Sequence, residues 1–255
     1  MRIAEGVPLP TDRYWADPGL VMSDAGIPPD PWQRRVLEST DREMLLLCTR
    51  QAGKSTTMGA LICLTAMLYP RALVLILSPT QRQSCELLQD KVVPILDAIG
   101  WPVPGTPKAT SLRLANGSRV VALPDNERGI RCYSSVSLLV IDEASKVSDH
   151  LFRAVTPMLV VSRGRAVALS TPFGQRGWFY DEWVSQRPWT RVRVTTDECP
   201  RHTPEFVASE RAKHGERWVR QEYYCSFEAN VDQYFAQEDI DAALSHAVTP
   251  LFGRR

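Results

Sequence analysis

CTRQAGKST, residues 48–56, is the stretch whose reading decides the fold. It overlaps the end of MLLLCT (44–49), a continuous apolar run of the kind found in a strand covered on both faces. It leads into a helical run from about Lys54 to Tyr69, which must stop before Pro70. Strand, glycine-bearing turn and helix in this order form a phosphate loop, where successive N–H groups point inward and the helix N-terminus adds its positive end. Gly53 permits the close turn, Lys54 reaches the β- and γ-phosphates, and Ser55 can ligate Mg²⁺. The general pattern G-x-x-x-x-G-K-[ST] has glycine where Cys48 stands, so A-G-K-S alone is a weakened motif. Its position between a buried strand and a helix start supports it. The nucleotide-binding candidates from this loop are Thr49, Arg50, Gln51, Ala52, Gly53, Lys54, Ser55 and Thr56.

The flanking sequence alternates in the same way. ALVLILS (72–78), VSLLVID (136–142) and RAVALS (165–170) read as further buried strands. Helices are predicted over 81–99, kinked at Pro94, near 148–160 and over 177–186. LRLANGSRVVAL (112–123) reads as a hairpin around Asn116-Gly117, TRVRVTT (190–196) as an edge strand, and 204–228 and 237–245 as helical. WQRRVLEST (32–40) suits a short helix, whereas residues 1–31 hold six of the 19 prolines and read as an extended arm or lid with little regular structure. Buried strands separated by helices predict an α/β fold, a mostly parallel sheet with helices on both faces. Ligands of such sheets bind beyond the carboxyl ends of the strands, so the residues there should be informative.

They are. LLVIDE (138–143) places two carboxylates after four apolar residues: Asp142 suits a Mg²⁺ ligand and Glu143 a group that orients the attacking water, although acidic residues also favour helix starts. Ser170 and Thr171, ahead of Pro172, either touch the γ-phosphate or cap a helix. In Asp30-Pro31-Trp32-Gln33, a glutamine amide can both donate to and accept from an adenine edge, and Trp32 could stack or pack in the core. ERGIRC (127–132) carries Arg128 and Arg131, candidates to meet charge developing on a transferred phosphoryl group.

Composition sets the outer bounds. The chain has 255 residues, 44% hydrophobic and 23% charged, as for a globular protein with ample core, and a net charge of +1 gives no global signal for nucleic acid. Arg153, Arg163, Arg165 and Arg176 cluster in sequence and are candidate DNA contacts, although a charge run is usually a solvated face. Six cysteines lack disulfide or metal spacing and read as reduced, mostly buried thiols. No signal peptide opens the chain, and ALICLTAMLY (60–69) is too short to span a bilayer, so a soluble cytoplasmic protein is expected.

Together these features resemble the ATPase domain of the large terminase subunit, the genome-packaging motor of tailed bacteriophages, from about residue 28 to about 245. RQAGKS (50–55) is similar to that family's R-Q-x-G-K-[ST] loop, Asp30-Pro31-Trp32-Gln33 to its adenine motif, LLVIDE to its Walker B motif with catalytic glutamate, and Ser170-Thr171-Pro172 to its coupling motif. YYCSFEA from Tyr223, then Tyr234-Phe235, resembles the family's domain close. The resemblance implies a P-loop NTPase of the additional-strand, catalytic-glutamate type, with residues 32–245 as the ATPase domain and 246–255 as a tail. ATP and Mg²⁺ are its implied ligands. Its implied partners are double-stranded DNA, a small terminase subunit and a homo-oligomeric ring (a pentamer) on a portal of a procapsid, in the bacterial host cytoplasm. The family's arginine finger, an R-G step about eleven residues before the acidic pair, maps onto Arg131 by distance and Arg128 by the R-G step. The family's nuclease domain is not expected in a chain of this length, and a helicase-like motor and a non-catalytic nucleotide-gated scaffold are the competing readings.

Overall fold

The computed structural model describes residues 11–124, 126, 130 and 133–228. Its strands are β1 (Glu43–Cys48), β2 (Leu73–Leu77), the hairpin β3 (Ser111–Arg113) and β4 (Arg119–Ala122), then β5 (Leu138–Asp142), β6 (Arg165–Ser170) and β7 (Thr190–Val194). They form one sheet in the order β3-β4-β2-β5-β6-β1-β7, parallel throughout except for the β3/β4 pair. The additional strand of the expected fold class is β6, which lies between β1 and β5 and pairs Leu47 with Ser170 and Leu169 with Asp142. The four apolar runs therefore occupy the centre, and the alternating run 190–194 takes the edge.

Alternation within each central strand divides the core in two. Met44, Leu46, Val74, Ile76, Val140 and Leu169 point to one face, and Leu45, Leu47, Leu75, Leu77, Ile141 and Ala168 to the other. The first face is covered by α1 (Thr11–Ala16), α2 (Leu20–Asp24), α3 (Pro31–Glu38), α4 (Lys54–Leu68), α5 (Gln81–Leu87) and α6 (Val93–Ala98). The second is covered by α7 (Asp149–Val155), α8 (Pro157–Ser162) and α9 (Gly177–Val184), with Trp178 stacked on Phe152. Two further helices, α10 (Pro204–His214) and α11 (Glu216–Glu222), pack on one another and reach the phosphate loop. No helix among the described residues is long and apolar enough to cross a membrane.

Four expectations are corrected. The segment 11–31 is not an extended arm: α1, α2 and the start of α3 form there, and Tyr14, Val21 and Met22 are buried in the first core, with Tyr14 donating to Asp24 at 2.9 Å. The 81–99 helix is interrupted by a π-helical turn, Leu88–Val92, which absorbs the missing Pro94 N–H so that the proline falls in the first turn of α6. The helices predicted at 148–160 and 204–228 each divide, at Pro157 and at Gly215, where φ is 84°. Arg165 does not lie on a solvated face: its Nε and Nη2 are out of contact with solvent, in the field of Asp41 and Tyr69. The predicted helix at 237–245, Tyr234-Phe235 and the tail at 246–255 lie outside the described residues.

The hairpin turn has a second use. Asn116 Nδ2 donates to the carbonyls of Ala66 and Met67, at 2.8 and 3.1 Å, so the turn caps the last carbonyls of α4. Cys48, Cys63, Cys199 and Cys225 are buried free thiols, as expected, and Cys85 is half-buried.

Gly164, between α8 and β6, gives a direct test of this packing. A Cβ there would stand 2.0 Å from the Val136 carbonyl oxygen, backbone that cannot swing aside. Gly164→Ala is expected to destabilise the fold by about 1–3 kcal/mol, read as a lower urea midpoint with an unchanged m-value.

Candidate active site

The phosphate loop begins one residue later in the ladder than the general motif suggests. Cys48 is still strand, opposite Val194 and fully buried in the first core, so the position lacking glycine needs no glycine conformation. Thr49 continues the ladder by donating its N–H to Val194 O at 2.8 Å. The tight conformations come afterwards, at Gln51 (φ 54°) and Gly53 (φ 88°), and α4 starts at Lys54. Lys54 Nζ donates to Thr49 O at 3.2 Å, lying across the mouth of the loop. Ala52 is buried beneath the loop, and Thr56 is half-buried in the first turn of α4.

The back of the loop is held from outside. Gln33, buried, accepts from Asp30 N at 2.8 Å through Oε1 and donates through Nε2 to Thr57 Oγ1 at 2.9 Å and to Gly53 O at 3.4 Å. Its amide is thus engaged on both sides within the protein. Trp32 is 1% exposed and packs in the first core, the second of the two uses open to it from the sequence. Arg201, from the segment after β7, donates to Ala52 O at 2.7 Å and pairs with both carboxylate oxygens of Asp30, at 2.7 and 3.3 Å. Gly53 cannot be substituted quietly, because a Cβ would meet Gln33 Nε2 at 2.8 Å.

Asp142 ends β5 beside this loop. It is 8% exposed, and burial, then the Glu143 charge, pushes its carboxyl up to about 6. Lys54, the Glu143 N–H (3.0 Å) and a hydrogen bond from the Ser55 side chain oppose that shift. A desolvated carboxylate sharing a hydrogen bond with a serine hydroxyl, with phosphates to complete the shell, is a donor set that fits Mg²⁺. Among the described residues there is no cluster of three or more His, Cys, Asp or Glu side chains able to hold a metal by itself, so substrate oxygens would have to supply the rest.

Glu143 turns the chain out of the strand with φ 49° and ψ 42°, a left-handed conformation uncommon for a non-glycine residue. Its Oε2 accepts from Lys146 Nζ at 3.0 Å. Between them, the 3₁₀ turn Ala144–Lys146 holds Ser145, whose Oγ lies 2.6 Å from Ser170 Oγ and donates to Thr171 O at 3.0 Å. Arg50 is half-exposed, with Nε 3.6 Å from Glu222 Oε2 and its guanidinium over the Trp218 ring at 5.5 Å. Arg50, Lys54, Glu143, Lys146, Thr171 and Glu222 line one cleft of ≈ 380 Å³ at the carboxyl end of the sheet. Arg128 and Arg131 lie outside the described residues.

Five participants escaped the sequence reading. Ser145 and Lys146 stand within three residues of Glu143 and could have been found by asking what the turn after the acidic pair carries. Arg201, Trp218 and Glu222 are about 150–170 residues from the loop and carry no local motif.

A family model described as the N-terminal part of the T4-like-virus-type terminase large subunit matches residues 45–242. The chain belongs to this terminase family. A probable large terminase subunit of Enterobacteria phage P7 is 32% identical over 103 residues, which cover 37% of this chain and 21% of that protein. The large terminase ATPase domain of Thermus phage P74-26 superposes with a TM-score of 0.69 at 19% identity, over 81% of this chain and 97% of that one. The large terminase of a second, thermophilic bacteriophage, solved with ADP and with ATP-γ-S, gives TM-scores of 0.66 and 0.64 at 12% identity, over 78% of this chain and 53% and 52% of that one. The fold is accordingly the P-loop NTPase fold of terminase ATPase domains.

The raised Asp142 carboxyl sets a pH test. The group ionises more easily unfolded than folded, so its stabilising contribution is present below pH 3.8 and is lost as pH rises through about 6. In EDTA and without nucleotide, the stabilisation given by Asp142→Asn should grow between pH 4 and 6 and then level off, by on the order of 3 kcal/mol. Paired denaturation curves across that range measure it, and a pH-independent difference would refute it.

Proposed function

We propose that this chain is the ATP-hydrolysing motor domain of a viral terminase large subunit, driving double-stranded DNA into a procapsid. The observation that carries the reading is the convergence of Lys54, the hydrogen-bonded Ser55 and Asp142, and Glu143 beside one cleft at the strand ends, in a chain of this family. The ADP and ATP-γ-S complexes of the thermophilic phage terminase support nucleotide binding here.

In this reading Lys54 keeps one N–H on the Thr49 carbonyl and turns the others to the β- and γ-phosphates, and the loop N–H groups cradle them. Ser55 and Asp142 would hold Mg²⁺, which would supply charge neutralisation on the phosphate oxygens. Glu143 accepts a hydrogen bond from a water in line with the γ-phosphorus and takes its proton as the new P–O bond forms. The bond to the β–γ bridging oxygen breaks, giving ADP and inorganic phosphate. Arg50 faces the same cleft and answers charge on the phosphates or braces the loop through Glu222. Arg131 or Arg128 of a neighbouring protomer would complete the site in a homo-oligomeric ring, a pentamer on the portal served by a small subunit in the host cytoplasm. Loss of the γ-phosphate is reported through Ser170 and Thr171, which Ser145 ties to the turn after Glu143.

Glu143→Ala should keep ADP affinity and lose about 10²–10⁴-fold in phosphate release, the usual contribution of a positioned base. Undiminished hydrolysis in that variant would sink the assignment. A nucleotide-gated scaffold differs in showing binding by the wild-type chain with no phosphate release at all. If an arginine acts across protomers, the turnover rate per protomer should rise steeply with protein concentration. A constant rate per protomer from dilute to concentrated samples counts against it.

A further inference from the structure

Among the described residues three cations line the cleft, and two of them are already paired with carboxylates. Arg50 lies 3.6 Å from Glu222, and Lys146 lies 3.0 Å from Glu143. The second pair is the consequential one, because Glu143 is the group assigned to the attacking water. A carboxylate oxygen that accepts from an ammonium is occupied and is drawn away from any water beyond it. We propose that Lys146 is a second phosphate-binding residue of this site, one that exchanges Glu143 for the terminal phosphate of a nucleoside triphosphate. The inference rests on the ATPase reading above and goes beyond it by assigning a residue and an order of events.

The local structure favours a side chain that moves on a backbone that does not. The 3₁₀ turn is fixed at three points: Ala144 is buried, Ser145 is bonded to Ser170 Oγ and Thr171 O, and Lys146 N–H donates to Glu143 O at 2.9 Å. From that base the Lys146 side chain, nearly half exposed, reaches Glu143 Oε2 along the wall of the cleft that also holds Lys54. A partly exposed Lys–Glu pair is weak. A terminal phosphate carries more charge and several acceptor oxygens, and it is the stronger partner for an ammonium in the same cleft. Arrival of a triphosphate therefore draws Lys146 off Glu143 and leaves that carboxylate free for water. A diphosphate lacks the terminal group and leaves the pair closed. Glu143 is then released by substrate and held by product.

The test uses the full chain with Mg²⁺, a fluorescent ADP as probe, and ADP and ATP-γ-S as competitors. Lys146→Gln should weaken ATP-γ-S by about tenfold, the scale of one charge-assisted hydrogen bond, and leave ADP within about twofold. Lys146→Arg should recover most of the loss. Glu143→Gln removes the competing partner and should tighten ATP-γ-S, by a larger factor with Lys146 present than when combined with Lys146→Gln. Equal weakening of ADP and ATP-γ-S by Lys146→Gln, or no change in either, overturns the proposal and leaves the ATPase reading standing. Failure of the wild-type chain to bind either nucleotide overturns that reading first and the proposal with it.

Discussion

A phosphate loop that turns its N–H groups toward a ligand turns carbonyls toward the protein, and buried carbonyls need donors. The rest of this molecule depends on that requirement. Lys54 satisfies Thr49 O, Arg201 satisfies Ala52 O, and Gln33 and Thr57 satisfy Gly53 O. Only Lys54 and Thr57 come from the loop and its own helix. Gln33 is placed by the N-terminal helical layer through its capping bond to Asp30 N, and Arg201 arrives from beyond the last strand. Asp30 joins the two, since the carboxylate pairing with Arg201 also caps α3. The loop is therefore shaped by both ends of the described chain.

That arrangement explains what a reader of the sequence could see. β1, β2, β5 and β6 were legible because a strand buried on both faces must be a continuous apolar run, and the carboxylates and hydroxyls at their ends stood out against it. The π turn and the divided helices were partly legible, since Pro94, Pro157 and Gly215 mark the breaks without specifying how the backbone accommodates them. The N-terminal helices were not legible. At six and five residues α1 and α2 are too short to show a period, and they exist because Tyr14, Val21 and Met22 find a core to enter. Among the described residues Pro18, Pro28 and Pro29 occupy joints and Pro31 the first turn of α3, where a count of prolines cannot distinguish them from those of an extended arm.

Within the site, chemistry was easier to read than geometry. Gly53, Lys54, Ser55, Asp142 and Glu143 have few other uses in that order. Trp32 is the counterexample: an aromatic beside a glutamine fits stacking or packing equally, and only the position of α3 against α4 settles it as packing. Cys48 is a subtler case. Judged against the general motif it is a missing glycine, yet the parallel ladder with β7 extends through Cys48 and Thr49, so the chain is still extended at that position. Glycine is favoured where φ is positive and needed where a Cβ would also collide, and in this loop both conditions meet at Gly53.

The same ladder bears on how a change at the phosphates could leave the site. The central strands are locked in register on both sides and offer little room for displacement. Movement has to appear in what hangs from their carboxyl ends. On one side the turn after β5 is tied through Ser145 to the end of β6, and through Val147 O and Asp149 to Trp178 at the start of α9. On the other, the loop is tied to α11, because the Thr49 hydroxyl and the Arg50 N–H both donate to Glu222 O while the Arg50 side chain meets Glu222 and Trp218. A phosphate that recruits Arg50 weakens only the side-chain part of this second attachment. The two bonds to the Glu222 carbonyl do not involve that side chain, so they would hold α11 on the loop even with the Arg50 side chain withdrawn.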